Sequence, residues 1–379
     1  MWRKLTIFIA IFSSLIGVFL SPIPRNLGFY SYIAKLFPCF VGLSPAFHYG
    51  IEWNYTYDEL YKTCPRIQGQ RAIVTGANSG VGFETCKVLA ECGVHVTMVC
   101  RNPKKCSSAA QQIKDTIVNN GKCSTKCADI TTMTADTSSL KSVQSFAIKY
   151  LEMHQDSSLD ILYLNAGIPF RFPGDPFEVT EDGIEKIFAT NYVGHHLMYK
   201  LLEPLILRSK MARIIQTSSS ASFKTFPYKV ATSLSLLNEE GKYDPAHAYY
   251  YGQSKLAQIL WTKHLTKLLE KSGNTHVYAN SLHPGAVATS IWNIFIGDKV
   301  PEFVKDFFDY ARSNMMWTCA EGALTQLFLG VAVDRIKEAS IRGKYFHPQV
   351  NEVINNLALN ETLQEELWDF SNELVSNFL

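Results

Sequence analysis

The stretch "QRAIVTGANSGVGFETCKVLAECG", residues 70–93, constrains the fold more than any other part of this chain. "QRAIV" has the character of a strand. Residues 80–92 carry apolar groups at helical spacing, with Val81, Thr85, Val88 and Leu89 on one face. Between the two, Gly76, Gly80 and Gly82 follow Thr75 in the spacing G-x-x-x-G-x-G. The same alternation continues downstream. Strands are predicted at "HVTMVCR" (95–101), "LDILYLNAG" (159–167), "ARIIQTSSS" (212–220) and "VYANSLHPG" (277–285), and helices over 103–119, 181–202 and 247–270. Short apolar strands separated by helices indicate a parallel sheet covered on both faces.

The expected fold class is therefore α/β, one doubly wound, Rossmann-type parallel sheet with helices on both faces, running over residues 67–379 without a Pro/Gly/Ser-rich linker. Its tail, "ETLQEELWDFSNELVSNFL", sets Leu363, Leu367, Phe370, Leu374 and Phe378 at helical spacing, which predicts a helix docked on the body. Residues 25–66 are aromatic and irregular and are expected to be a membrane-proximal extension packed on that body. Residues 1–24 contain "LTIFIAIFSSLIGVFL" (5–20), an uncharged apolar run after "MWRK". It falls slightly short of the roughly 20 residues of a spanning helix, and extension to Ile23 closes most of that gap. A membrane anchor is the expectation, with a cleaved signal peptide as the alternative. Basic residues flank the run on both sides, so orientation stays open. The sequons Asn54-Tyr55-Thr56 and Asn360-Glu361-Thr362 could be modified only if the body is lumenal.

Charge and cysteine usage exclude some classes. A net charge of +2, from 36 basic and 34 acidic residues, gives no electrostatic case for nucleic acid. Nine cysteines in so long a chain do not make a disulfide framework, and free buried thiols are expected. Cys123 and Cys127 stand four apart with no second Cys/His pair at zinc spacing, so no metal site is expected.

The glycine turn carries the first chemical signal. A diphosphate needs backbone N–H groups close to its oxygens and the partial positive charge of a helix start. A Cβ at the contact would hold the backbone away, hence glycine. Alone, such a triple is equally a structural turn. Its position, after a strand and opening a helix at the start of a doubly wound sheet, favours a dinucleotide. The candidate contacts are Gly76, Asn78, Ser79, Gly80, Val81 and Gly82. A carboxylate ending the second strand would accept the ribose 2′-hydroxyl of NAD. Here the strand ends in Cys100 and Arg101, and Arg101 can pair with a 2′-phosphate in forked geometry. NADP(H) is the expected cofactor.

"YYYGQSK" (249–255) places Tyr251 and Lys255 four apart in a predicted helix, on one face and one turn from each other. A phenol with pKa about 10 is a poor acid–base group at neutral pH. A fixed ammonium beside it is expected to lower that value and make Tyr251 a usable proton donor or acceptor. The pair alone would pass for a surface pair. It gains force from "NAG" at 165–167, Asn191 in "TNYVGHH" and the "TSSS" run that ends the strand at 217–220. Of these, Ser219 would polarise a carbonyl oxygen alongside the tyrosine.

With these motifs in place the chain resembles the short-chain dehydrogenases/reductases, and within them the microsomal retinol dehydrogenases and the oxidoreductase domain of the WW-domain-containing oxidoreductase. The matching stretches are "TGANSGVGFET", "VCRN", "DTSSLKSVQSFA", "LNAG", "NYVGHHLM", "RIIQTSSSAS", "YYYGQSKLAQIL" and "LHPGAVATS", over about residues 67–290. The resemblance implies Tyr251 as general acid, Lys255 holding the nicotinamide ribose and tuning Tyr251, Ser219 orienting the carbonyl, and Asn191 anchoring the lysine through a water. It further implies that Asn165, Ala166 and Gly167 line the cofactor cleft. Asp136 would contact adenine, and Pro284, Gly285 and Thr289 would form the loop on the carboxamide side. It also implies a membrane enzyme of the endoplasmic reticulum and leaves room for a homodimer.

Some residues depart from that pattern. No WW module is visible in the first 66 residues. Segment 122–135 is longer than expected, so Asp129 competes with Asp136, and Ser218 competes with Ser219. Loop 286–318 carries Trp292, Phe295, Phe303, Phe307, Phe308, Tyr310 and Trp317. Either these pack in the core or they form an apolar lid over a lipid-like carbonyl or alcohol such as a retinoid, steroid or fatty aldehyde. Two other functions fit the same turn and Y-x-x-x-K pair: a protochlorophyllide-reductase-like enzyme, and a catalytically slack nucleotide-sensing interaction protein.

Overall fold

β2 (Arg71–Thr75) runs buried into the glycine turn, and α2 (Gly80–Glu91) leaves it, as the sequence predicts. The structure, a computed structural model, describes residues 47–119, 129–169, 176–225, 230–239, 248–288 and 316–379. Apart from Met316, all of these belong to one unit, Phe47–Phe295 with Trp317–Leu379. Ahead of β2 lie β1 (Phe47–Glu52) and α1 (Tyr57–Thr63). Beyond α2 come β3 (His95–Cys100), α3 (Pro103–Asn119), β4 (Ile130–Thr134), α4 (Leu140–Met153) and β5 (Ile161–Leu164). Helix α5 opens at Lys186–Phe188, widens through a π turn at Ala189–Val193 and continues over Gly194–Leu207. There follow β6 (Ala212–Thr217), α6 (Ala248–Lys271), β7 (Val277–Leu282), α7 (Cys319–Val331), α8 (Val333–Glu338), β8 (Tyr345–His347), β9 (Asn351–Asn355) and α9 (Glu361–Val375).

Among the described residues the strands form one sheet in the order β1-β9-β8-β7-β6-β5-β2-β3-β4. All pairings from β4 across to β8 are parallel, while β9 is antiparallel to both β8 and β1. Strand order reverses between β3 and β5 on either side of β2, and such a switch point opens a crevice at the carboxyl ends of the strands. Alternate residues feed two cores. Ala72 and Val74 of β2 face the layer of α2, α3 and α7, and Ile73 faces the layer of α4, α5 and α6.

The described part of the extension, 47–66, contributes to the body. β1 closes one edge of the sheet on β9. Tyr55 is buried against Phe328 at 4.9 Å between ring centroids, and the Tyr57 hydroxyl donates to Ala320 O at 2.6 Å. The tail helix is where its spacing predicts: Leu367 is fully buried, and Trp368 packs edge-on to His196 at 5.2 Å. The apolar run 5–20 lies outside the described residues, and among the described residues no helix is long and apolar enough to cross a membrane.

Two expectations need correction. Helix α5 begins five residues later than predicted. Gly183 adopts a left-handed φ of 77° in a turn closed by its N–H on Thr180 O, and the Glu185 carboxylate accepts from Ile187 N and Phe188 N at 2.8 and 2.7 Å, capping the true start. The thiols, too, are not all free. Cys64 is joined to Cys92 and Cys100 to Cys106, with Cα separations of 4.7 and 5.8 Å, while Cys86 and Cys319 are unpaired. Spacing could not reveal this, because the first pair is brought together only when α1 lies against the end of α2. Cys123 and Cys127 lie outside the described residues.

Gly194 shows how tightly the layers meet. A Cβ there would stand 2.1 Å from Thr137 O and 2.9 Å from Thr137 C, both backbone atoms. Gly194→Ala is expected to lower stability by at least about 2 kcal/mol, since overpacking against backbone has no cheap relief. Urea unfolding of the variant beside the unmodified chain measures it.

Candidate active site

The glycine turn sits at the switch point. Gly76 has φ +66°, and a Cβ on it would come within 2.9 Å of the Ala166 Cα. A Cβ on Gly82 would lie 2.5 Å from Gly76 O and 2.6 Å from Asn165 Nδ2. Two of the three glycines are thus required by the close approach of β2, β5 and α2. Gly80 takes φ +59°, and Ser79 before it is exposed, extended and makes no side-chain cap. No acidic residue occupies the first turn of α2. The first amides of the helix therefore face the crevice with neither a carboxylate nor a hydroxyl cap, alongside Asn78 and Val81. A diphosphate fits such a cradle.

Thr75 ties the turn to the rest of the site. Its Oγ1 accepts from Asn165 N and Ala166 N, each at 2.9 Å, and Asn165 Nδ2 donates to Thr75 O at 2.9 Å. The same hydroxyl lies 3.0 Å from His195 Nε2. His195 Nδ1 is 3.1 Å from Asn191 O, an atom that can only accept. The hydrogen is therefore on Nδ1, and Nε2 accepts from Thr75; the other acceptor in reach of that hydroxyl, Tyr163 O, is farther at 3.3 Å. Burial pushes the imidazole pKa down to about 3, so it remains neutral. Asn191 O also accepts from Gln258 Nε2 at 2.8 Å. A continuous chain of hydrogen bonds thus joins the Asn165-Ala166 turn to helix α6. His195 and Gln258 escaped the sequence reading; the signal was helical spacing, four residues after Asn191 and three after Lys255.

Asn191 stands in the π turn of α5. Its side chain accepts from Ile168 N at 2.8 Å and donates to Ile168 O at 3.1 Å and Ser254 Oγ at 3.0 Å. Gly167 passes so close that a Cβ would meet Asn191 Oδ1 at 3.1 Å and Lys255 Nζ at 3.6 Å. The expected "NAG", Asn191 and Lys255 are therefore brought together.

The remaining assignments separate clearly. Asp136 follows β4 at the crevice edge, where its Oδ1 accepts from Ser138 N and Ser138 Oγ at 2.9 and 2.6 Å. Asp129 precedes β4, with its carboxylate 3.6 Å from His95 Nδ1, and lies at the opposite edge, which excludes it from the same role. Arg101 is exposed just past β3, beside the point where Gly76 N donates to Val99 O at 2.9 Å. Gly285 takes φ +95°, and a Cβ there would lie 2.5 Å from the Trp317 ring; Pro284 precedes it at the end of β7. Thr289 and the aromatics from Trp292 to Tyr310 lie outside the described residues, and Trp317 is buried.

Two adjacent serines do different work. Ser218 is buried, and its Oγ donates to Lys255 O at 2.6 Å, fixing α6 against the strand. The Ser219 side chain acts on the Tyr251 phenol to lower its pKa, but burial outweighs that effect and holds the phenol above its ordinary value. The expected lowering by Lys255 is not found. Its Nζ lies 5.5 Å from the Tyr251 ring centroid and donates to Thr217 O at 2.8 Å. Burial brings the lysine itself down to about 7.

That shift has a stability consequence. The folded lysine titrates near 7 and the unfolded one near its ordinary value of about 10.4. Between these values the unfolded chain binds more protons, so folded stability rises with pH; below pH 7 the full cost of the buried charge is present. Lys255→Met removes that cost and loses one hydrogen bond of about 1 kcal/mol. In thermal unfolding at pH 6 without added nucleotide, the variant is expected to melt at least about 3 °C higher. The gap should close as the pH approaches 10.

Comparisons with known proteins agree on a family. The family described as short chain dehydrogenase matches residues 70–233. The chain is 34% identical over 313 residues to short-chain dehydrogenase TIC 32 A, chloroplastic, of Brassica napus, covering 81% of this chain and 88% of that protein. It is 32% identical over 314 residues to retinol dehydrogenase 14 of Homo sapiens, with coverage of 82% and 87%. In fold it resembles the L-sorbose reductase of Gluconobacter frateurii complexed with NADPH and L-sorbose, with a TM-score of 0.55, 17% identity, and coverage of 74% of this chain and 95% of that one. The chain belongs to the short-chain dehydrogenase family, as an oxidoreductase that takes a nicotinamide cofactor.

Proposed function

We propose that this chain is an NADP(H)-dependent carbonyl reductase acting on an apolar aldehyde or ketone, such as a retinoid, steroid or lipid carbonyl. The observation that carries the reading is the grouping of Ser219, Tyr251 and Lys255 at the switch point, with Ser219 acting on the Tyr251 phenol and Lys255 Nζ 5.5 Å from its ring centroid. A phenol held above its ordinary pKa stays protonated at neutral pH, which is the form that donates to a carbonyl oxygen as it gains electron density. Ser219 shares that oxygen and fixes its position. A bound nicotinamide supplies the hydride. Lys255, held by Thr217 O and close to Gly167, is placed to stabilise the tyrosinate left after proton donation, and Asn191 and Gln258 hold its helix in register.

The preference for the phosphorylated cofactor rests on Arg101 and on the lack of an acidic residue at positions 100–102. The apolar substrate class rests on the aromatic run in loop 286–318 and on the similarity to a retinol dehydrogenase. The N-terminal apolar run fits an enzyme held at the membrane where such substrates dissolve.

Tyr251→Phe is expected to cut NADPH-driven reduction across an aldehyde and ketone panel by at least about 100-fold, with NADPH affinity within a factor of about two of the unmodified chain by fluorescence titration. Equal turnover in the two proteins would remove Tyr251 from the reaction. NADH bound as tightly as NADPH would remove Arg101 from cofactor choice.

A further inference from the structure

We propose that the folded body of this chain resides in the oxidising lumen of the secretory system, with N-linked glycans on Asn54 and Asn360. The inference does not rest on the reaction proposed above. It joins two motifs that the site leaves unused to two cystines that the sequence did not foretell.

Both sequons are presented in a usable form. Asn54 is exposed at a turn between β1 and α1, with φ 45°, a conformation that asparagine tolerates better than most residues. Its neighbours anchor it. Trp53 O accepts from Arg335 at 3.0 Å and Tyr55 is buried, so the side chain between them projects from the surface. Asn360 is also exposed, and as the cap of α9 it uses Oδ1, which accepts from Leu363 N at 3.1 Å. A sugar would attach at the other atom, Nδ2, so cap and glycan are compatible. In the transfer, the C1–O bond of a polyprenyl-diphosphate-linked oligosaccharide breaks and a C1–Nδ2 bond forms. The amide loses one proton and the lipid diphosphate leaves.

The second observation is independent. Cys64–Cys92 and Cys100–Cys106 have Cα separations of 4.7 and 5.8 Å, within the range a disulfide spans. One clamps the end of α1 to the end of α2; the other closes the end of β3 onto the first turn of α3. Each forms by loss of two electrons and two protons to a disulfide-bearing acceptor. Such bridges persist in oxidising compartments and are rare where glutathione keeps thiols reduced.

The test uses the full chain expressed in a eukaryotic cell, with two variants chosen to preserve the helix caps. Thr56→Asp destroys the first sequon and keeps a good cap on α1; Asn360→Asp does the same for α9. Glycosidase treatment is expected to lower the mass of the unmodified chain by two glycans, each single variant by one, and the double variant by none. Maleimide labelling of the denatured, unreduced protein, read by peptide mass, is expected to spare Cys64, Cys92, Cys100 and Cys106. A glycosidase-insensitive mass for the unmodified chain would overturn the proposal, as would full labelling of those four cysteines.

Discussion

The site depends on one hydroxyl. Thr75 ends the first strand of the αβ unit, and its Oγ1 takes the two N–H groups that turn away from β5 while giving its own hydrogen to His195. These are the amides that a parallel strand leaves unpaired where the crevice opens, and an unpaired buried N–H costs about 1–3 kcal/mol. A β-branched residue suits the strand, and its hydroxyl reaches the neighbouring turn. Valine would keep the shape and strand three partners. The glycines then follow as a consequence. With β2 and β5 held this close, a Cβ at Gly76 or Gly82 has nowhere to go.

From Thr75 the order passes through His195 and the Asn191 carbonyl to Gln258 and so to the helix that carries Tyr251 and Lys255. All the linking side chains are buried, and each bond has a fixed direction because a carbonyl can only accept. A neutral imidazole in one tautomer works as a rigid spacer with a donor on one side and an acceptor on the other. The π turn at Ala189–Val193 belongs to the same arrangement, since it offsets the helix where Asn191 must address Ile168, Ser254 and Gln258 at once.

Much of this was legible in the sequence, for identifiable reasons. The strand–turn–helix at 70–93, the buried strands and the docked tail declare themselves through local periodicity. The spacing of Tyr251 and Lys255 is local too. What stayed hidden was set by tertiary contact. Ser218 and Ser219 are chemically identical neighbours, and only the strand's exit separates them, one toward the Lys255 carbonyl and one toward the phenol. Asp129 and Asp136 are separated by which end of β4 each occupies. The partners of Cys64 and Cys100 depend on where two helices land. The start of α5 was misplaced because Glu185 caps through its side chain, and an acidic residue inside a run of helix formers gives no sign of doing so.

The pKa pattern of the site follows from one cause acting with opposite sign. Burial disfavours whichever form is charged, so it raises the phenol and lowers the ammonium. In that condition the tyrosine stays protonated and the lysine gives up its proton more readily, the reverse of the simple picture in which the ammonium acidifies the phenol from the outset. Ligand charge changes the balance. Phosphate groups drawn to the uncapped start of α2, and ribose hydroxyls beside Lys255, would favour the protonated lysine, restoring the cation when a proton must leave Tyr251. Under that reading, a site built this way would keep its charge low until the cofactor binds. Under the proposed reaction, the stability forgone at Lys255 would then be recovered on binding, which would couple occupancy of the crevice to readiness for proton transfer.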